Sequence, residues 1–172
     1  MFRKAVIDTG PLFSALVLNY TFGNGGARGP ARFTSALGPA LHSKDSQVQF
    51  LGLLGSINVK LTTSHVIGEL HGLQASRLKL YGDDRRGFWL ASIDLLTQWN
   101  IDETLIRLLD LAADEKFGNF LPEIGPTDTG LIQLAFQHGC VLITQDERTL
   151  APKARAVGVD CRLVDRLLPP KR

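Results

Sequence analysis

Two short runs, Ala5-Val6-Ile7 and Val141-Leu142-Ile143-Thr144, are apolar or β-branched at every position, and each is followed within two residues by an aspartate, Asp8 or Asp146. A strand with one wet face alternates; a strand without alternation is covered on both sides, as in a parallel sheet between two layers of helix. The intervening chain supplies the covering. After Pro11, Leu12, Phe13, Leu16 and Val17 recur at helical spacing, as do Val48, Leu51, Leu54 and Ile57, and later Val66, Leu70 and Leu73. Further strands are predicted over 59–62, at 100–101 and over 159–164. Helices are predicted over 64–76 behind a Thr63/Ser64 cap, over 86–99, over 103–116 with Asp102 as cap, from Thr127 to a Gly139 C-cap, and over 147–156. This order of strands and helices predicts a three-layer α/β/α sandwich with a central parallel sheet of four or five strands.

The 172 residues suit one domain, and 44% hydrophobic with 21% charged residues is the mixture of a globular chain with a real core. Glycines 23, 25, 26, 29 and 38, with Pro30 and Pro39, break every period between residues 19 and 44, so an insertion loop is expected there. Residues 119–126 read as a second loop. No uninterrupted apolar run is long enough for a membrane span, and Asp8 arrives before a signal-peptide apolar segment could form, so a cytoplasmic protein is expected. Cys140 and Cys161 are too few for a disulfide framework and are read as reduced and structural.

The net charge of +2 permits a polyanionic partner without requiring one. Arg77, Lys79, Arg85 and Arg86 outnumber Asp83 and Asp84, and the last twenty residues are also basic. Both stretches are candidates for phosphate contact, and equally for a solvated face and a basic tail.

The chemistry lies with the acids. Asp8 and Asp146 follow strand ends, and ligands of open parallel sheets bind outside the carboxyl ends of the strands where the strand order reverses. Either aspartate alone is equally explained as the cap of the next helix. Glu69 falls three residues after Val66 and four before Leu73, on or beside the inward stripe of its helix, where an unpaired carboxylate is costly. A salt bridge to His65 or His71, or a place at the exposed edge of the stripe, would also account for it. Asp128 stands in the first turn of its helix, which suits an acid on dipole grounds alone. Taken together, four acids gathered at one sheet end would repel one another unless a divalent cation neutralised them. All-oxygen ligation suits Mg²⁺ or Mn²⁺; His42, His65, His71, His138 and the cysteines show no zinc spacing. Such a site is equipped for phosphodiester hydrolysis.

Four blocks carry a family resemblance: 6–12 (VIDTGPL), 61–69 (LTTSHVIGE), 126–132 (PTDTGLI) and 141–146 (VLITQD). In their order and contexts the chain resembles the PIN-domain family, which includes ribonuclease toxins of VapC type. The resemblance implies a metal-dependent endoribonuclease acting on RNA through metal-activated water, leaving a 5′-phosphate and a 3′-hydroxyl. It implies Asp8, Glu69 and Asp128 as principal Mg²⁺ or Mn²⁺ ligands, Asp146 at a second metal or acting through water, and Thr144 in support. Arg77, Lys79, Arg85 and Arg86 become candidates for RNA contact, and a cognate antitoxin and a homodimer become candidate partners. Two features depart from the family pattern: the 19–44 insertion, and Gly10 where a small polar residue is expected two positions after the first aspartate. A PIN-like module that binds RNA or protein without cutting is the main alternative. A phosphatase with an aspartyl nucleophile fits less well, because Gly10 stands where its general acid is wanted.

Overall fold

The computed structural model describes residues 2–23 and 31–168. Its five strands, β1 (Lys4–Ile7), β2 (Val59–Thr63), β3 (Ile101–Thr104), β4 (Val141–Thr144) and β5 (Cys161–Leu163), form one all-parallel sheet in the order β3-β2-β1-β4-β5. The chain steps outward from β1 to β2 and β3, then returns to the other side of β1 for β4 and β5. The strand order therefore reverses between β1 and β4, which pair directly, with Ile7 opposite Ile143.

The helices make the outer layers. Between β1 and β2 come α1 (Thr9–Gly23), α2 (Ala31–Ala36) and α3 (Lys44–Gly55); between β2 and β3 come α4 (Ser64–Leu73) and α5 (Gly82–Gln98). Then follow α6 (Leu108–Ala113) and α7 (Leu121–His138) before β4, α8 (Leu150–Ala156) before β5, and α9 (Val164–Leu167). Helix α1 packs against α4 and α5, while α7 packs against α6 and α8. Right-handed crossovers account for this division, since leftward and rightward steps along a parallel sheet put their helices on opposite faces. In α1 every residue from Pro11 to Leu18 is buried, so this helix is apolar all round and lies beneath other elements.

Several elements differ from expectation. The stretch 103–116 is not one helix. Ile101–Thr104 pairs along β2, Asp102 is a strand residue rather than a cap, and only Leu108–Ala113 is helical. Pairing overrode local helix propensity here, and the exposed Asp102 and Glu103 suit an edge strand that must not recruit another chain. The expected loop over 119–126 holds a 3₁₀ turn (Gly118–Phe120) and the first turn of α7, which breaks at Gly125 (φ 79°, ψ 173°) and restarts at Pro126. Only glycine tolerates that conformation, and proline suits a helix start. The 19–44 stretch is largely helical where described: α1 continues to Gly23, and α2 and a 3₁₀ turn at Pro39–Leu41 precede α3. Residues 24–30 of the expected loop lie outside the described residues. Helix α4 widens into a π-helical turn, Gln74–Leu78, ended by Lys79 in the left-handed region (φ 51°). On the stripe read from the spacing of Val48, Leu51, Leu54 and Ile57, Leu54 and Ile57 are buried as expected, but Val48 is exposed and Phe50 fills the core in its place. Both cysteines are free. Among the described residues no helix is long and apolar enough to cross a membrane.

Candidate metal centre

Asp8 follows the last residue of β1 at the point of strand-order reversal. Its N–H extends the ladder to the Ile143 carbonyl (3.0 Å), which holds the residue against β4. Its side chain is 7% exposed. One carboxylate oxygen accepts from the Thr9 N–H (2.5 Å), the other from the Thr144 hydroxyl (2.6 Å). Burial nevertheless pushes its pKa up to about 6; the two hydrogen bonds oppose the rise, and the charges of Glu69 and Asp146 add to it.

Thr144, wholly buried at the end of β4, also accepts from the Asp146 N–H (2.8 Å), so one hydroxyl joins the turns after both strands. The Asp146 carboxylate accepts from the N–H groups of Arg148 and Thr149 (2.9 Å each) and of Leu150 (3.2 Å). Asp146 thus holds the turn that leads into α8, whose N-cap position is Thr149, and its charge still reaches Asp8 and Asp128.

Glu69 lies on α4, which Thr63 caps through the Val66 N–H (3.4 Å). Val66 and Leu70 are buried, whereas Glu69 is exposed, at the edge of the stripe rather than within it. Its carboxylate turns toward the other acids: one oxygen accepts from the Thr9 hydroxyl (2.8 Å), the other from the Thr127 hydroxyl (2.6 Å). The histidine salt bridges do not form. His65 meets the Ile106 carbonyl (3.0 Å) and His71 meets Arg85 (2.6 Å).

Asp128 is half-buried one residue beyond Thr127, on the part of α7 that restarts after Gly125. No donor among the described residues hydrogen-bonds its carboxylate. Burial, then the charges of Asp8, Asp146 and Glu69, push its pKa up to about 7.

The four acids thus form a linked series. Thr144 joins Asp146 to Asp8, Thr9 joins Asp8 to Glu69, and Thr127 joins Glu69 to the neighbourhood of Asp128. Four separated stretches of sequence meet at the carboxyl end of the sheet. No family model matches the chain, and no curated protein matches it.

Thr9 and Thr127 are the positioning residues that spacing did not single out. Their signal was a hydroxyl directly beside an acid, at 8–9 and 127–128, matched by Thr144 two residues before Asp146. Gly10 also finds its reason. A Cβ there would lie 3.0 Å from the Gln145 side-chain oxygen, and Gln145 reaches past it to donate to the Ser14 hydroxyl (3.2 Å). The site of a small polar side chain is taken by an amide from the neighbouring turn.

Among the described residues no three acid, histidine or cysteine side chains stand close enough to make a ready-formed metal shell. Asp8 and Glu69 are instead satisfied by threonine hydroxyls. The donor set is nonetheless that of a hard cation, all oxygen, and the charges acting on Asp8 and Asp128 come from other carboxylates, with no lysine or arginine among their main influences. Arg77, Lys79, Arg85 and Arg86 are all exposed, and Arg85 is tied through His71 to the helix that carries Glu69.

Proposed function

We propose that this protein is a PIN-like, Mg²⁺- or Mn²⁺-dependent endoribonuclease. The observation that carries the reading is the linked series Asp8, Glu69, Asp128 and Asp146 at the strand-order reversal, where burial and then the neighbouring carboxylates push up the pKa values of Asp8 and Asp128 with no neutralising cation among the causes. Asp8, Glu69 and Asp128 would hold the ion, and Asp146, whose oxygens are occupied by the turn into α8, would act outside them through water. When bound, the ion supplies an activated water and neutralises charge on the phosphate.

The chain's own groups do the rest. The Thr9 N–H and the Thr144 hydroxyl hold the Asp8 carboxylate by one oxygen each, which fixes its orientation. Thr9 and Thr127 hold Glu69 by both oxygens, so an otherwise exposed side chain keeps one orientation. In the metal-free protein Asp8 and Asp128, with pKa values pushed up to about 6 and 7, are partly protonated near neutrality, and they would have to release those protons to hold the ion. Arg77, Lys79, Arg85 and Arg86 provide cationic surface for the RNA backbone. Service as the toxin of a toxin–antitoxin pair, in the cytoplasm and as a homodimer, belongs to the same reading.

Purified protein incubated with single-stranded RNA should cleave it with Mg²⁺ or Mn²⁺. EDTA and Asp8→Asn should each abolish cleavage, and activity surviving both would remove the metal mechanism. The exposure of Glu69 and the occupied oxygens of Asp146 favour a second reading, a PIN-like module that binds RNA or protein without cutting. Calorimetry with Mn²⁺ separates the two: a site lost in Glu69→Gln contradicts the metal-free module.

A further inference from the structure

At the opposite end of the sheet, where β1 and β4 begin, a cavity of 630 Å³ opens between the approach to β1, the end of α7 and the turn before β5. That volume is in the range of small-molecule sites, roughly 300–1,000 Å³. Its lining carries unbalanced charge. Arg3 makes no ion pair among the described residues, and the Lys4 ammonium lies 2.7 Å from His138 Nδ1, a contact that only a neutral imidazole accepts. Asp160, the acid of the same lining, is engaged by Arg162 through two hydrogen bonds (2.7 and 3.2 Å).

The end of α7 sets only its partial negative charge against the cations. The N–H groups of Gly139 and Cys140 already cap the Phe136 and Ala135 carbonyls (3.1 Å each). Arg3 and Lys4 therefore line one cavity with no ion pair to an acid among the described residues, an arrangement that would favour a bound anion. Two aromatic rings stand in the remaining lining. Phe2 packs on the core from the cavity side, and Phe136 is 44% exposed, with the Lys116 ammonium 3.4 Å from its ring centre and Phe117 packed against it at 5.5 Å.

A cationic corner beside two aromatic rings matches an anion joined to a flat, apolar ring. We propose that this cavity binds a nucleoside monophosphate, with the phosphate between Arg3 and Lys4 and the base against Phe2 and Phe136. The site is separate from the carboxylates and does not depend on the nuclease reading.

Calorimetry with AMP, in EDTA and low salt, should give a Kd tighter than about 1 mM for the full chain. Arg3→Gln and Lys4→Gln should each weaken it about tenfold, and Asp8→Asn should leave it unchanged. Cys140, half-buried in the lining, gives a second readout, with buried Cys161 as internal control. AMP held at ten times its Kd leaves about one site in ten free, so it should slow Cys140 alkylation about tenfold. Adenosine should protect far less. No binding below about 1 mM, equal protection by adenosine, or an affinity lost in Asp8→Asn but kept in Lys4→Gln would each overturn the assignment.

Discussion

Replacing Asp128 by asparagine should make the metal-free protein more stable, although it removes a proposed ligand. Burial and three neighbouring carboxylates push its pKa from 3.8 up to about 7. A carboxylate whose folded pKa is raised holds its proton in the folded state after the unfolded chain has released it. Stability then falls as pH rises from 3.8 to about 7, and the full cost is present above that window. At about 1.4 kcal/mol per pH unit, the three-unit rise sets a ceiling on the order of 4 kcal/mol at pH 8. Water at the half-exposed side chain and relaxation of its neighbours reduce this to about 1–3 kcal/mol. Asparagine has nearly the same shape and no charge, and no hydrogen bond to the carboxylate is lost. For a chain of this length each kcal/mol shifts Tm by about 2–4 °C, so a rise of roughly 2–12 °C is expected. Thermal unfolding followed by circular dichroism in EDTA, at pH 8 and pH 4.5, measures it. The gain should shrink by more than half at pH 4.5, where the native carboxyl is largely protonated when folded. Added Mg²⁺ should stabilise the native protein and not the variant. A destabilised variant at pH 8, or a gain of equal size at both pH values, would refute the electrostatic reasoning.

Asp8→Asn should stabilise the metal-free protein less than Asp128→Asn, because the amide NH2 is a donor and cannot replace the carboxylate oxygen that accepts from Thr9 or Thr144; paired melts at pH 8 give the comparison. The same variant should reduce RNA cleavage by about a hundredfold or more, read on a labelled single strand. Thr127→Val should leave folding nearly intact, since the hydroxyl's partner Glu69 is exposed, yet weaken Mn²⁺ binding about three- to tenfold by calorimetry, with Thr127→Ser restoring it. Gly10→Ala should cost about 1–2 kcal/mol in urea unfolding, because the new Cβ must displace the Gln145 amide; a neutral result would mean that amide moves freely.

Much of the architecture was legible in local pattern. Ala5-Val6-Ile7 and Val141–Thr144 are buried at every position, and that property alone implies a parallel sheet with both faces covered. Asp8 and Asp146 could be placed beyond strand ends because apolar runs stop there. Gly139, in the left-handed region (φ 57°), ends α7 where a glycine was read as its cap. Other features had no local signal. The strand read at 100–101 runs on through 102–104, residues read as a cap and a helix start, because β2 offered an edge to pair with.

What the chain's own order of residues determined is the set of elements and the acids at their ends, since backbone propensity and hydrophobic period act over a few neighbours. Whether those acids meet was decided in three dimensions. Asp8 and Asp146 became neighbours because β1 and β4 pair, and the orientation of Glu69 followed from hydroxyls 60 and 58 residues away, on Thr9 and Thr127. The same holds for their protonation. A pKa raised by burial and by like charges belongs to the folded arrangement, because only folding excludes the water that would otherwise screen these carboxylates from one another.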